Sequence, residues 1–308
     1  MAPGAPREGG GLSPALVQPV PTRQGQSDLG RACEVLAECL RVLPLESNLF
    51  EISFRAPELA RLAHPGEFAQ IWIDPKGAPL LRRPFSFSRA DPGSGVVAFY
   101  VGEVGQGSRR LRRFTEGQSA PILGPLGQGF SLPPRPGRSL LVAGGLGAAP
   151  FPLLAQRLLN EGEELTWLNG ARTESELYPN DLLPAGIAEQ IHCTEDGSRG
   201  HPGLVTQGLA ELLTRFDRVY ACGPNRMLAE VWRLTRATGA DREAVSLEVS
   251  IEAPMGCGFG TCLACAIPLR QGGDGEGAEL GLCCRQGPVL AGVELDWEAL
   301  SRQPSHLQ

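Results

Sequence analysis

The stretch Ser139-Leu140-Leu141-Val142-Ala143-Gly144-Gly145-Leu146-Gly147-Ala148-Ala149-Pro150 reads as a buried strand running directly into a glycine turn, then a helix from about Phe151 to Leu159. Such a turn lets backbone amides and a helix N-terminus face a dinucleotide pyrophosphate. Alone it is a weak fingerprint. Its third glycine is a proline, and the next strand closes on Leu168-Asn169-Gly170-Ala171-Arg172 with no acidic residue, so a tight strand-to-helix turn without a ligand explains it equally well. A second junction, Tyr220-Ala221-Cys222-Gly223-Pro224-Asn225-Arg226-Met227-Leu228, adds weight, because two such turns at the C-terminal edge of one parallel sheet form a crevice for a ligand. Gly145, Gly147, Cys222 and Gly223 are the nucleotide-site candidates. Cys222 either lies beside the reacting ring or is a small buried hydrophobe.

Around these turns, strands at Ser139–Ala143, Glu164–Asn169 and Arg218–Ala221 alternate with helices, the pattern of a parallel sheet with crossovers. Upstream, Pro133-Pro134-Arg135-Pro136-Gly137 reads as a stiff linker and a boundary. Before it, short β-rich segments such as Leu49–Phe54, Phe68–Ile73 and Val96–Val101, spaced by Pro/Gly turns, predict a small β-barrel or sandwich. The expected partition is a disordered tail at 1–30, a barrel at 31–133, a parallel α/β domain at 134–245 and a cysteine-rich unit at 246–308. No internal repeats are visible.

The composition agrees with a globular chain. Of 308 residues, 42% are hydrophobic and 20% charged, and the 40 glycines and 27 prolines make about a fifth of the chain, below the roughly 25–30% of low-complexity sequence. A net charge of −6 gives no sequence-wide reason to bind nucleic acid or an anionic membrane. Lys76 is the one lysine, so arginine supplies the cation chemistry of any phosphate site. The longest uncharged apolar run, Leu140 to Ala155, is broken by glycine and proline and falls short of the roughly 18–20 residues of a membrane span. With no basic-then-apolar opening, the chain is expected to be cytoplasmic.

Five of nine cysteines fall in the pattern Cys257-x4-Cys262-x2-Cys265 followed by Cys283-Cys284. The odd count argues against a disulfide framework. The leading spacing is that of a plant-type [2Fe-2S] ligand set. Structural zinc, the alternative, uses two C-x2-C knuckles, which the adjacent pair Cys283-Cys284 cannot supply. Glycines 256, 258 and 260 let a loop turn its amides toward sulfur.

In the first half, Leu81-Arg82-Arg83-Pro84-Phe85-Ser86-Phe87-Ser88 presents an arginine before an extended hydroxyl-bearing segment. Arg83 is placed to clamp a phosphate, with Ser86 and its neighbours facing a flat heterocycle; a surface strand with a proline edge is the plain alternative. Gly105-Gln106-Gly107-Ser108 opens an expected helix, Arg109–Phe114, whose free amides and Ser108 hydroxyl suit a pyrophosphate. Gly124-Pro125-Leu126-Gly127-Gln128-Gly129-Phe130 is a further loop of close backbone approach. His64, His192, His201 and His306 lack a partner arrangement and read as structural or surface residues.

The order RRPFSFS (82–88), GQGS (105–108), GPLGQGF (124–130), GGLGAAP (144–150), ACGPNRML (221–228), MGCGFGTCLAC (255–265) and CCRQGPVL (283–290) resembles the electron-transfer subunits of NAD-dependent (class 1B) dihydroorotate dehydrogenase over residues 31 to 295. These are ferredoxin-reductase-like flavoproteins. The resemblance implies an α+β multidomain chain with an FAD-binding β-barrel, an NAD-binding parallel α/β domain and a C-terminal [2Fe-2S] cysteine domain. It implies cluster ligands Cys257, Cys262, Cys265 and Cys284, the last because the family places that ligand before Gly-Pro-Val. It implies FAD held by Arg83, Pro84, Phe85, Ser86, Gly107 and Ser108. Gln286 stands where the family usually has an acidic residue, and the loop from Ala266 to Leu282 carries a glycine-rich insert at 272–277.

The resemblance further implies a role in pyrimidine biosynthesis beside an FMN-containing catalytic subunit, as a heterotetramer of two of each. Nicotinamide exchanges two electrons at once and a single [2Fe-2S] centre one, so a flavin between them is the natural converter. Two other readings stand. One is an NAD(P)H-dependent flavin/iron–sulfur reductase subunit serving an oxygenase or ferredoxin. The other is a zinc-stabilised binding module with an inactive nucleotide domain.

Overall fold

In the computed structural model, residues 30–75, 77–237, 245–270 and 279–303 are described; the expected tail before Gly30 and the insert at 272–277 lie outside them. The first sheet is built from β1 (Cys33–Pro44), β2 (Leu49–Arg55), β3 (Phe68–Ile71), β4 (Arg83–Ser86), β5 (Arg89–Asp91), β6 (Val96–Gly102) and β7 (Ser119–Leu126). Their order is β4-β3-β7-β1-β2-β6-β5, with every pairing antiparallel. It is one sheet curled into a half-barrel, not a sandwich. Curling brings Phe85 of the edge strand β4 within 6.4 Å (ring centroids) of Phe99 on β6. Period-2 alternation supplies the interior: Phe50, Ile52 and Phe54 from β2 with Val97, Phe99 and Val101 from β6 form one apolar cluster. Helices α1 (Pro57–Leu62) and α2 (Gln106–Leu111) fill the gaps.

Helix α2 starts three residues earlier than expected and ends at Leu111. The Ser108 hydroxyl accepts the backbone N–H groups of Val104 and Gly105 at 3.0 and 3.1 Å, and this closure from inside the first turn sets the N-cap at Gly105.

The second sheet contains β8 (Arg138–Gly144), β9 (Glu164–Ala171), β10 (Glu189–Thr194), β11 (His201–Pro202), β12 (Arg218–Cys222) and β13 (Ser246–Ser250), crossed by α3 (Phe151–Asn160), α4 (Leu209–Leu213) and α5 (Asn225–Ala237). Strands β8 to β13 are parallel neighbours in the order β11-β10-β9-β8-β12-β13. The chain proceeds from β8 to one side and returns to the other with β12, so the topological switch point lies between these two strands. Core strands are buried on both faces: Leu140, Leu141, Val142 and Ala143 of β8 have no exposed surface. Helix α3 packs Phe151 edge-on to Trp167 of β9 at 5.7 Å.

The boundary expected at residue 246 coincides with the start of β13, which belongs to this second sheet through the ladder from Arg218↔Ser246 to Cys222↔Ser250. After β13 the chain leaves the sheet, forms the hairpin β14 (Ala266–Leu269) and β15 (Glu279–Leu282) and the short helix α6 (Cys283–Gln286), and returns as β16 (Val289–Ala291), antiparallel to β13. The last helix, α7 (Trp297–Arg302), is capped by Asp296, whose carboxylate accepts the Ala299 N–H; it packs Trp297 on Trp232 of α5 with ring centroids 5.8 Å apart. The cysteine segment is thus an excursion hung from the edge of the nucleotide-type sheet.

Candidate functional site

At the switch point the two glycine turns are in backbone contact. A Cβ at Gly147 would lie 2.2 Å from the Cys222 carbonyl oxygen and 2.7 Å from the Gly223 nitrogen, so only glycine permits this approach. Gly145 has φ +54° and an open side. The strand does not feed α3 directly: a single 3-10 turn over Gly145–Ala148 intervenes. Gly145, Gly147, Cys222 and Gly223 are therefore brought together. Burial pushes the Cys222 thiol up to about 12 despite the Ser250 hydroxyl beside it, which favours its neutral form.

In the half-barrel, β4 pairs with β3 in the register Arg83↔Ile71, Pro84↔Gln70, Phe85↔Ala69, Ser86↔Phe68. The Arg83 guanidinium donates from Nη1 to the carbonyls of Leu81 and Arg82 at 2.9 and 3.2 Å, and its stem runs past Gly107, where a Cβ would meet Cγ at 3.2 Å and Nε at 3.3 Å. The fold therefore joins Arg83 to the Gly107–Ser108 turn. The Ser108 hydroxyl is spent on its own turn, which leaves backbone amides and Arg83 as the groups there for an anion. Arg110 pairs with Asp74 at 2.5 Å and Arg112 with Glu103 at 3.3 Å, so these helix arginines serve the surface.

The cysteine loop is built on left-handed turns at Gly258 (φ +84°), Gly260 (φ +91°) and Leu263 (φ +58°). They aim amides inward: the N–H groups of Thr261 and Cys262 donate to Cys257 Sγ at 3.3 and 3.5 Å. Burial works against the Cys257 thiolate, but the amides of Cys262, Phe259 and Thr261 outweigh it and hold the thiol down to about 7. Cys265 Sγ lies 3.3 Å from Cys284 Sγ. Their shared hydrogen bond, with burial opposing it on Cys265, lowers Cys265 and raises Cys284.

The adjacent cysteines part company: Cys283 is wholly buried with Sγ directed to the Ile251 carbonyl at 3.7 Å, and burial pushes its thiol up. The four remaining sulfurs fall into two pairs, Cys257 with Cys262 and Cys265 with Cys284. No group of three or more metal-ligating side chains converges on one point among the described residues. Two thiolates per metal ion is the donor set of a two-iron cluster. Gln286 closes the ligand turn by accepting the Leu282 N–H at 2.7 Å.

The cysteine segment is also tied to the barrel. Gln128, in the loop after β7, donates its N–H to Gly287 O at 2.7 Å and accepts from Val289 N at 3.4 Å, while the left-handed Gly127 (φ +78°) lies where a Cβ would meet Pro288 at 2.6 Å. Two polar residues stand out that no motif of the sequence marks: Gln128, in a loop of close backbone approach, and Gln70, whose buried carboxamide has no partner among the described residues.

A half-barrel with an arginine-bearing edge strand, a switch-point crevice and an amide-rich paired-cysteine loop tied to both define the ferredoxin-reductase-like class of iron–sulfur flavoproteins. The chain is similar to a solved structure described as the NADH-dependent reduced ferredoxin-NADP oxidoreductase of flavin-based electron bifurcation, with TM-score 0.73 and 28% identity over 87% of this chain and 92% of that one. It shares its fold with a ferredoxin reductase in carbazole 1,9a-dioxygenase, TM-score 0.58 at 22% identity, covering 70% of this chain and 69% of that one.

Residues 252–296 match the family described as the iron-sulfur cluster binding domain of dihydroorotate dehydrogenase B. The dihydroorotate dehydrogenase B (NAD(+)) electron transfer subunit of Desulforamulus reducens is 34% identical over 264 residues, 85% of this chain and 98% of the relative. That of Shouchella clausii is 33% identical over 78% of this chain and 90% of its own length. The chain belongs to the family of dihydroorotate dehydrogenase B (NAD(+)) electron transfer subunits. It is an oxidoreductase component that works with a catalytic partner.

Proposed function

We propose that this chain receives single electrons from an FMN-containing catalytic subunit that oxidises dihydroorotate in pyrimidine biosynthesis. It carries them through a [2Fe-2S] cluster on Cys257, Cys262, Cys265 and Cys284 to FAD, and delivers them in pairs to NAD+. The paired arrangement of the four sulfurs, with Cys284 on Cys265 at 3.3 Å and Cys283 turned away, carries this reading. Each pair would hold one iron, and the amides donating to Cys257 favour its thiolate form. When bound, the flavin exchanges two electrons with nicotinamide and one at a time with the iron–sulfur centre. Overall, dihydroorotate yields two electrons and two protons; NAD+ takes both electrons with one proton as hydride, and the second proton leaves to solvent.

The residues of this chain have separate tasks. Arg83 and the amides of Gly107 and Ser108 neutralise the FAD pyrophosphate, while Pro84, Phe85 and Ser86 present an extended edge and a ring to the isoalloxazine. Gly145, Gly147 and Gly223 let NAD approach the backbone, and the protonated Cys222 thiol adds no charge beside the ring. We assign FAD to 31–133, NAD to the second sheet from 134 through β13, and the cluster to the cysteine segment that follows β13, and two copies each of this chain and its partner to one heterotetramer in the cytoplasm. No helix among the described residues is long and apolar enough to cross a membrane.

The test is reconstitution with the FMN-containing subunit. Orotate and NADH forming in equal amounts, and ceasing when Cys262 and Cys265 are both replaced by serine, is the expected result. The likeness to the ferredoxin-NADP oxidoreductase structure favours a second acceptor, ferredoxin; NADH oxidation with ferredoxin but no orotate formation with any FMN subunit would replace the first reading with that one.

A further inference from the structure

Strand β3 alternates faces. Ala69 and Ile71 point into the barrel core, whereas Phe68 packs in the apolar cluster that holds Cys265, Cys283 and Cys284. Gln70 shares the Phe68 face by the same alternation. It has no exposed surface, and neither its Nε2 nor its Oε1 has a hydrogen-bond partner among the described residues. A buried carboxamide with both ends unpaired is rare in a folded chain and marks a site that is completed by something else. What it faces is the cysteine loop: a Cβ at Gly258 would lie 2.6 Å from Gln70 Nε2, and Gly258 directly follows Cys257. Its backbone partner across the sheet is Pro84, in the stretch assigned to FAD. Gln70 therefore stands at the seam between the flavin strand and the cysteine loop.

We infer that the Gln70 carboxamide donates from Nε2 to the iron–sulfur centre held in the Gly258 loop and sets its potential; this rests on the cluster assignment proposed above. Reduction adds a negative charge to the centre. A donor hydrogen bond stabilises the more negative form and raises the potential. The left-handed glycine at 258 fits this role, because a side chain there would displace the amide. Gln70 is a tuning residue and carries no proton or electron itself.

The test uses the full chain, purified anaerobically, with Gln70→Met, which keeps the volume and removes the donor, and Gln70→Glu, which places a carboxylate there. Each is matched to wild type in iron, FAD and circular dichroism, then titrated potentiometrically, reading the cluster by EPR and the flavin by absorbance. The cluster midpoint is expected to fall in both variants, further in Gln70→Glu, while the flavin midpoint stays. An unchanged cluster midpoint, or a shift confined to the flavin, overturns the inference. Should either variant lose iron, pulsed EPR of the reduced protein labelled with 15N in glutamine amides decides, read in Gln286→Glu so that the glutamine of the ligand turn is silent: a coupling to the cluster supports the contact and its absence overturns it. A wild type that binds no iron would instead overturn the proposed function.

Discussion

Cys222 and Cys257 each stand where a chain segment meets a glycine, yet their surroundings drive them to opposite chemistry. Cys222 closes a parallel strand whose amides are committed to the ladder with β8 and β13, so burial dominates and its thiol is pushed up to about 12. Cys257 lies in a loop whose left-handed glycines release amides toward sulfur, and its thiol is held down to about 7. The difference lies in where the backbone N–H groups point, and it separates a thiol kept neutral from one eased toward the thiolate form that a metal ligand needs. Cys283 and Cys284 differ within one helical turn in direction alone, the first turned to the Ile251 carbonyl and the second to Cys265.

The sharpest way to break this comparison is to change the neighbours one at a time. Cys284→Ser is expected to lose the iron and bring dihydroorotate-dependent NAD+ reduction to background. Cys283→Ser is expected to keep iron and activity, with stability lower by about 1–2 kcal/mol for a hydroxyl placed in a buried site. Iron content and thermal melts of the two variants check both, and iron retained by Cys284→Ser but lost by Cys283→Ser reverses the assignment.

A charge-assisted contact is next in size. Arg83→Ala is expected to weaken FAD by about 10–100-fold, the ~1.5–3 kcal/mol of a hydrogen bond to a charged group, while leaving iron unchanged; flavin retention on gel filtration reads it. At the crevice, Gly147→Ala forces a methyl against the Cys222 carbonyl and is expected to lower stability by about 1–3 kcal/mol and to raise the Kd for NADH without disturbing bound flavin. The smallest effect concerns Cys222 itself. At pH 8 a thiol held at about 12 is thiolate in about one molecule in ten thousand, so iodoacetamide should leave it unlabelled in the native protein and reach it only after unfolding, which peptide mass mapping reports.

The cysteine spacing and both glycine turns are legible in the sequence because each is local, with its residues a few positions apart, and Arg83–Ser86 is legible as an extended edge strand. The choice between Cys283 and Cys284 was not decided by spacing, since neighbours differ only in direction; it rested on the family pattern, and Cys284 is the one that meets Cys265. The start of α2 is set by the Ser108 hydroxyl reaching back to the Val104 and Gly105 N–H groups, a contact that the arginine run downstream does not signal. That β13 extends the second sheet could not be read, because a parallel partner is distant in sequence and Ser246–Ser250 looks the same in either unit. Gln70 is a strand residue like any other until the Gly258 loop is folded over it.

The most direct test of the account is the visible spectrum and metal content of one anaerobically purified sample. Flavin bands with a broad iron–sulfur shoulder, one FAD and roughly two iron atoms per chain are the predicted result. Zinc in place of iron, with no flavin, would contradict it.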